Sequence, residues 1–190
     1  MNVGIWGSSG FTGRELTIIL SKRPEVKIVY TETSKKKAGK IEDVEVAFLA
    51  LKEKQSAEVV PELLKCGVKV IDLSGAYRLI NPDNYPLYYN GWQHPCPELL
   101  GEAVYGLPEK NREKIRKAWL IANPGCYPTA INLGLLPLSD SGLVSPTSKI
   151  LVRAISGYTG AGKEVKIPKT IKSYKSKGGR ESQHIPEIEQ

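Results

Sequence analysis

The chain has 190 residues, of which 41% are hydrophobic and 25% charged, a composition typical of folded globular proteins rather than disordered ones. The formal net charge of +7 suits phosphorylated metabolites, acidic proteins or nucleic acid as partners. Nucleic acid is disfavoured, because the basic stretch 163–180 has Tyr174 as its only aromatic residue and no recognition motif accompanies it. The three cysteines lack CxxC spacing, so we expect reduced thiols, no disulfide framework and no metal site.

The chain starts with an apolar run, Val3 to Trp6, directly after the first two residues. No apolar stretch reaches the length that a membrane-spanning helix needs. We therefore expect no signal or transit peptide, no membrane contact and a cytoplasmic location.

Short apolar runs alternate with amphipathic stretches over the first seventy residues, as in β-α-β units. We predict strands at 2–6, 26–31, 44–51 and 68–73, with helices at 11–22 and 55–66, the second one capped by Gly67. Residues 75–117 are predicted to be irregular, followed by a strand at 119–122, a helix at 127–136 and a strand at 149–155. This order predicts an α/β fold with a Rossmann-like parallel sheet.

A glycine-rich turn follows the first predicted strand and opens the first predicted helix. Glycines let the backbone approach a phosphate, and the N–H groups at a helix start attract negative charge. The spacing G-x-x-G-x-x-G is one residue looser than the usual dinucleotide fingerprint, but its place between a strand and a helix favours phosphate binding over a plain tight turn. The candidate cofactor-binding residues in this turn are Gly7, Ser8, Ser9, Gly10, Phe11, Thr12 and Gly13.

The residues after the second predicted strand indicate which nicotinamide cofactor is preferred. A carboxylate at this position binds the ribose 2′-OH of NAD, whereas hydroxyl and cationic groups suit the 2′-phosphate of NADP. Thr33, Ser34 and Lys35 follow the strand, so we predict NADP(H). NAD remains an alternative cofactor, because a shift of one residue in the strand boundary would bring the Glu32 carboxylate to the position that binds the ribose 2′-OH.

Cys126 lies where a predicted strand ends and a predicted helix begins, after Asn123, Pro124 and Gly125. Backbone N–H groups at a helix start carry partial positive charge, which favours a thiolate over a thiol. Gly125 permits the tight turn that this arrangement needs. The pattern predicts a nucleophilic cysteine, with a buried structural cysteine as the alternative.

Arg78 follows the predicted strand at 68–73, near the end of the sheet where α/β proteins bind ligands. Its planar guanidinium can bind an oxyanion through two donors, so we predict contact with a substrate phosphate or carboxylate. A surface ion pair with Asp72 or Asp83 is the alternative.

Several segments together resemble the N-acetyl-γ-glutamyl-phosphate reductase family, a relative of aspartate-semialdehyde dehydrogenase. The segments are 7–13, 47–51, 56–58, 71–78, 103–109, 123–129, 156–163 and 184–190. The resemblance implies a two-domain, homo-oligomeric, NADPH-dependent oxidoreductase of arginine biosynthesis. Such an enzyme reduces an acyl phosphate to an aldehyde through a cysteine thioester, with inorganic phosphate as the other product.

The resemblance also implies roles for individual residues. Cys126 would be the nucleophile and His184 the general acid–base group, although a lone histidine is more often structural. The remaining implied contacts are Ser156 and Gly157 with the cofactor, and Ser74, Arg78 and Asn123 with the substrate. A flexible turn is the alternative for 156–162.

We predict two domains, 1–125 for NADP binding and 126–190 as the first part of an α+β catalytic and oligomerisation domain. Family members continue beyond the point that corresponds to Gln190, so we expect an incomplete second domain. They also usually carry His-Arg-His before the Pro-Glu-Ile, whereas here Arg180 is displaced and His184 is the one histidine. Two alternatives remain: a lysine-pathway reductase that acts on an aminoadipyl phosphate bound to an acidic carrier protein, and an inactive nucleotide-binding module.

Overall fold

A computed structural model describes residues 1–145, 147–155 and 182–190 of the chain. The strands in these residues are β1 (Asn2–Trp6), β2 (Lys27–Glu32), β3 (Lys37–Gly39), β4 (Val46–Leu49), β5 (Lys69–Asp72), β6 (Val104–Tyr105) and β7 (Leu120–Ala122). The α-helices are α1 (Phe11–Ser21), α2 (Glu53–Lys65), α3 (Asn84–Tyr88), α4 (Pro108–Lys117), α5 (Cys126–Asp140) and α6 (His184–Glu189). Two short 3-10 helices cover Ile41–Asp43 and Pro97–Leu100.

The strands form one seven-stranded sheet in the order β3-β2-β1-β4-β5-β7-β6. Every neighbouring pair is parallel except β2 and β3, which are antiparallel. The chain moves from β1 to β2 on one side and later to β4 on the other side of β1. Their carboxyl ends therefore mark the point where the strand order reverses, which is where open α/β sheets bind ligands.

The centre of the sheet is buried because helices cover it. Val3 and Ile5 of β1 are fully buried, as are Ala47 and Leu49 of β4. Helix α2 packs on the sheet through one buried face, formed by Ser56, Ala57, Val60 and Leu63. The Rossmann-like α/β fold predicted from the alternating pattern is confirmed.

Two stretches differ from the sequence prediction. Residues 75–117 contain α3, β6 and α4 rather than irregular structure alone. Helix α4 carries five lysines and arginines and buries none of its residues, so it has no apolar stripe whose periodicity could reveal it. Residues 149–155 form no strand, and within the described part of the chain no strand pairs with them.

None of the helices in the described residues has the length and apolar character that crossing a membrane requires.

Candidate active site

The first turn of α5 lies at the carboxyl edge of the sheet, directly after β7. Backbone bonds extend the pairing of β5 and β7 up to this turn, because the N–H of Asn123 donates to the carbonyl of Asp72 at 2.8 Å. Gly125 is the N-cap residue of α5, and Cys126 is its first helical residue. Cys126 is exposed, and its thiol forms no disulfide. The thiol is therefore open to a ligand at the start of a fifteen-residue helix.

Glu187 of α6 is held against this helix start, although it follows Gly125 by 62 residues. Its Oε1 accepts the N–H of Gly125 at 2.7 Å and the hydroxyl of Tyr105 at 2.9 Å. Its Oε2 lies 3.7 Å from Nη1 of Arg78. Glu187 is 2% exposed, so these contacts satisfy a buried carboxylate.

His184 lies one turn before Glu187 on α6, and its ring contacts the ring of Tyr127 with the centroids 5.1 Å apart. Both chain neighbours of Cys126 thus contact α6, Gly125 through Glu187 and Tyr127 through His184. Burial lowers the pKa of His184 below its ordinary value, while the charge of Glu187 opposes the shift. Nδ1 of this ring is buried and has no hydrogen-bond partner within the described residues. A neutral imidazole with an unused nitrogen is suited to accepting a proton.

Arg78 connects three segments at the edge of the sheet. Its Nε donates to the carbonyl of Asn123 and its Nη2 to the carbonyl of Leu73, both at 2.8 Å. The acidic partner of Arg78 is Glu187, rather than the Asp72 or Asp83 that a simple surface pair would use. With the side chain 12% exposed, Arg78 is mostly enclosed by the protein. Its predicted contact with substrate remains a prediction.

Ser74 and Asp72 form a compact turn after β5. The Ser74 hydroxyl donates to one oxygen of Asp72 at 2.7 Å and accepts the N–H of Ala76 at 3.1 Å. Burial raises the pKa of the Asp72 carboxyl, and the bonds from Ser74 and the charge of Arg78 oppose that shift. The Ser74 hydroxyl is therefore used within the protein, and it shapes the loop that leads to Arg78. Asn123 uses its side-chain amide in a bond to the carbonyl of Pro124 at 3.1 Å.

The glycine-rich turn lies at the end of β1, next to the end of β4. Gly7 has φ of +77°, and a Cβ placed there would lie 2.2 Å from the carbonyl oxygen of Ala50. A Cβ at Gly13 would lie 2.2 Å from the carbonyl oxygen of Gly7. Both positions therefore exclude side chains, and the loop folds tightly onto the first turn of α1. The N–H groups of Thr12 and Gly13 are in that turn, where helices offer no internal acceptor.

The end of β2 contacts this turn. The Glu32 carbonyl accepts the N–H groups of Gly7 and Ser8 at 2.9 and 3.0 Å. Strand β2 ends at Glu32, one residue later than predicted, and this is the shift that brings Glu32 to the position where a carboxylate would favour NAD. The Glu32 carboxylate accepts the Tyr30 hydroxyl at 2.6 Å and lies 3.5 Å from Nζ of Lys37.

Thr33 closes a turn with Ser34, Lys35 and Lys36. Its hydroxyl oxygen accepts the N–H of Lys36 at 2.9 Å and that of Lys35 at 3.2 Å. Ser34 and Lys35 thus form the tip of a hairpin between β2 and β3, beside the glycine-rich turn. Three cationic side chains, Lys35, Lys36 and Lys37, project from exposed residues of this hairpin.

Two predicted cofactor contacts, Ser156 and Gly157, lie outside the described residues, as does Arg180. Sequence reasoning named His184 but not Glu187 or Tyr105 as site residues. Glu187 could have been found from its position three residues after His184, because this spacing puts both side chains on one face of a helix. Tyr105 had no comparable signal, because its role depends on contact with Glu187.

Residues 40–118 match the family model described as semialdehyde dehydrogenase, NAD binding domain. Residues 126–190 match the one described as semialdehyde dehydrogenase, dimerisation domain. The chain belongs to the semialdehyde dehydrogenase family.

Curated relatives agree with the predicted resemblance and confirm it. The chain is 43% identical over its full length to an N-acetyl-gamma-glutamyl-phosphate reductase of Geotalea daltonii, and 38% identical to that of Saccharophagus degradans. It spans 62% of the length of each of these relatives. The alignment with the Geotalea protein runs over 220 positions, 30 more than the 190 residues of this chain, so the relative has additional residues within the shared region.

Solved structures show the same fold. Aspartate semialdehyde dehydrogenase II of Vibrio cholerae, in a complex with ASA, superimposes with a TM-score of 0.52 at 21% identity. The superposition covers 74% of this chain and 46% of the Vibrio chain.

Proposed function

We propose that the protein catalyses the NADPH-dependent reduction of N-acetyl-L-glutamyl 5-phosphate to the 5-semialdehyde, a step of arginine biosynthesis, through a thioester on Cys126. The observation that carries the proposal is the exposed thiol at the first residue of α5. The residues on either side of it, Gly125 and Tyr127, contact Glu187 and His184 of α6. The identity of 43% to a reductase of that name supports the choice of acyl group.

The glycine-rich turn fits a dinucleotide. Backbone N–H groups at the start of α1 and the exclusion of Cβ atoms at Gly7 and Gly13 leave a surface that a pyrophosphate can approach closely. Residues Gly7 to Gly13 would hold the pyrophosphate, and Thr33, Ser34 and Lys35 the 2′-phosphate of NADP. When bound, the reduced nicotinamide supplies a hydride.

Cys126 would attack the carbonyl carbon of the acyl phosphate, forming a carbon–sulfur bond while the carbon–oxygen bond to phosphate breaks and phosphate leaves. His184 would accept the thiol proton as this bond forms, because burial lowers its pKa and keeps the ring neutral near pH 7. After hydride addition to the thioester carbon, the carbon–sulfur bond breaks and the aldehyde forms. The proton on His184 returns to sulfur, and the thiol is regenerated.

We also propose that the active form is a cytoplasmic homo-oligomer in which residues 1–125 bind the cofactor and 126–190 belong to the catalytic and oligomerisation domain. The matched dimerisation model, which begins at Cys126, supports this division.

The test measures the reverse reaction. The semialdehyde, phosphate and NADP are mixed with the chain, and NADPH formation is followed in wild type, Cys126→Ser and Cys66→Ser. Cys66 is the matched control, because it is also exposed but lies at the end of α2, away from the site. We expect Cys126→Ser to lower the rate by about a thousandfold or more and Cys66→Ser to leave it unchanged.

The covalent step has its own measurement. With the acyl phosphate present and no NADPH, mass spectrometry of the intact chain should show one acyl group on Cys126 and one phosphate released per acylated chain. An aminoadipyl substrate tested in parallel identifies the acyl group. Equal reverse rates in wild type and Cys126→Ser, or acylation at another residue, would refute the mechanism.

A further inference from the structure

Arg78 and Glu187 form a mostly buried ion pair beside Gly125, the residue before Cys126, and we infer that Arg78 is a positioning residue that compensates the charge of Glu187 at the start of α5. In its absence the Glu187 carboxylate would oppose the negative charge that Cys126 develops on sulfur. The inference deepens the proposed function, since it concerns the same cysteine. It extends to a property of the free protein that can be measured without substrate.

The pair lies directly against the residue that precedes Cys126. A Cβ placed on Gly125 would lie 3.0 Å from Nη1 of Arg78 and 3.1 Å from Oε2 of Glu187. The N–H of Gly125 donates to the other oxygen of Glu187 at 2.7 Å. The carboxylate therefore borders the backbone that leads into α5.

A carboxylate at this place has two opposite effects. It accepts an N–H group at the helix start and so fixes α6 against α5, which positions His184. Its negative charge, however, disfavours a second negative charge nearby, and this effect is strong where water is excluded. Glu187 has a side chain only 1% exposed, so solvent does little to screen it.

Arg78 is fixed to counter that charge. Its Nε and Nη2 donate to the carbonyls of Asn123 and Leu73, which directly follow the neighbouring strands β7 and β5. These bonds orient the guanidinium independently of Glu187 and leave Nη1 directed at the carboxylate, 3.7 Å away. The pair is thus neutral as a unit, and the dipole of α5 acts on the sulfur without an opposing ionic charge.

The experiment measures the alkylation rate of Cys126 by iodoacetamide at about pH 7, with no substrate or cofactor. Peptide mass spectrometry resolves each cysteine, and the exposed Cys66 in the same sample is the internal reference. The variants are Arg78→Gln, Glu187→Gln and the double variant. The matched control is Arg116→Gln, which removes the arginine of an exposed pair with Glu113 on α4. Circular dichroism verifies folding.

We expect Arg78→Gln to slow Cys126 alkylation about tenfold, because an uncompensated carboxylate remains. Glu187→Gln should accelerate it severalfold, since the guanidinium remains, and the double variant should return close to the wild-type rate. Arg116→Gln should change nothing. Because Glu187→Gln keeps an acceptor for Gly125, it tests the charge even if Arg78→Gln fails to fold.

Equal rates in wild type and both single variants would overturn the inference, as would a fall in both singles that the double variant does not restore. Loss of catalysis in Arg78→Gln with unchanged alkylation would also overturn it, and would favour direct contact of Arg78 with substrate. The alkylation rates themselves need no reductase activity, so the inference can fail while the proposed function stands.

Discussion

At the glycine-rich turn, backbone atoms contact backbone atoms, whereas at Cys126 side chains from separate segments meet. Gly7 and Ser8 bond to the carbonyl of Glu32, and the Gly13 backbone lies against Gly7. Around Cys126, the contacts instead involve Glu187, Tyr105 and Arg78, which come from α6, β6 and the loop after β5. Both regions lie at the same edge of one sheet. The fold therefore sets their position, and the local residues determine which contacts each region makes.

This difference between backbone contacts and side-chain contacts predicts which substitutions each region tolerates. In the glycine-rich turn an added methyl group is costly at Gly7 and Gly13, because a Cβ atom at either position would lie 2.2 Å from a carbonyl oxygen. At Cys126 a change of charge is costly, because carboxylate and guanidinium groups are enclosed there with little solvent.

We expect the largest effect from Gly7→Ala, which tests whether crowding constrains the glycine-rich turn. The substitution forces a side chain into the left-handed region, with φ of +77°, and places Cβ 2.2 Å from the carbonyl oxygen of Ala50. We expect the free energy of unfolding, measured in urea, to fall by about 2–5 kcal/mol. Gly67→Ala is the matched control, because Gly67 has φ of +73° but no atom within 4 Å of its Cβ position. Similar losses in both variants would mean that backbone strain alone, and not crowding, constrains the turn.

A smaller effect is expected on cofactor choice. Lys35→Ala removes a cation from the hairpin tip proposed to hold the 2′-phosphate, so the Kd for NADP should rise about tenfold, while the Kd for NAD stays unchanged. Isothermal titration with each cofactor gives both constants, and Lys22→Ala, at the far end of α1, is the control. A parallel rise for both cofactors would instead indicate a general charge effect, and Glu32 would then be the residue to test for NAD binding.

The smallest effect concerns pH and His184. Burial holds its pKa in the folded protein below the value of about 6.5 expected when unfolded, so the unfolded chain binds more protons between the two values. The stability that depends on the neutral ring is complete above about pH 6.5 and declines as the pH falls through that value.

His184→Gln should therefore lose less stability than wild type between about pH 7.5 and about pH 5.5, as measured by urea unfolding at each pH. His94, whose pKa is also lowered by burial, is present in both proteins, so its contribution cancels. An identical decline in the two proteins would show that His184 is not buried as described.

The sequence was most informative where structure is local. Strand β1 has the predicted bounds, and the glycine-rich turn could be read from a few adjacent residues because strand, turn and helix follow each other directly. Strand β3 was missed because it is three exposed residues at the edge of the sheet, with no apolar alternation.

The contacts of Glu187 could not be predicted in the same way. The carboxylate meets Tyr105 and Gly125 across 82 and 62 residues of chain, and no local pattern encodes such a pairing. The position of Arg78 after a strand indicated that this residue is important. The alternative prediction of an ion pair named the wrong partner, because it considered only acidic residues nearby in sequence, whereas the pair forms with Glu187. The family resemblance predicted a role for His184. The contacts of Glu187 with Gly125 and Arg78 became evident only in the folded structure.

The separation of 62 residues between Gly125 and Glu187 also has a consequence for the order of assembly during synthesis. The seven strands found in the described residues all precede Gly125, so the ribosome delivers these strands before α6 exists. At about 5–20 residues per second, translation needs roughly 3–12 s to reach Glu187 after Gly125 has been added. During that interval a nascent chain can carry the thiol of Cys126 without the carboxylate of Glu187 and the imidazole of His184, so the proposed chemistry has to wait until α6 has been added.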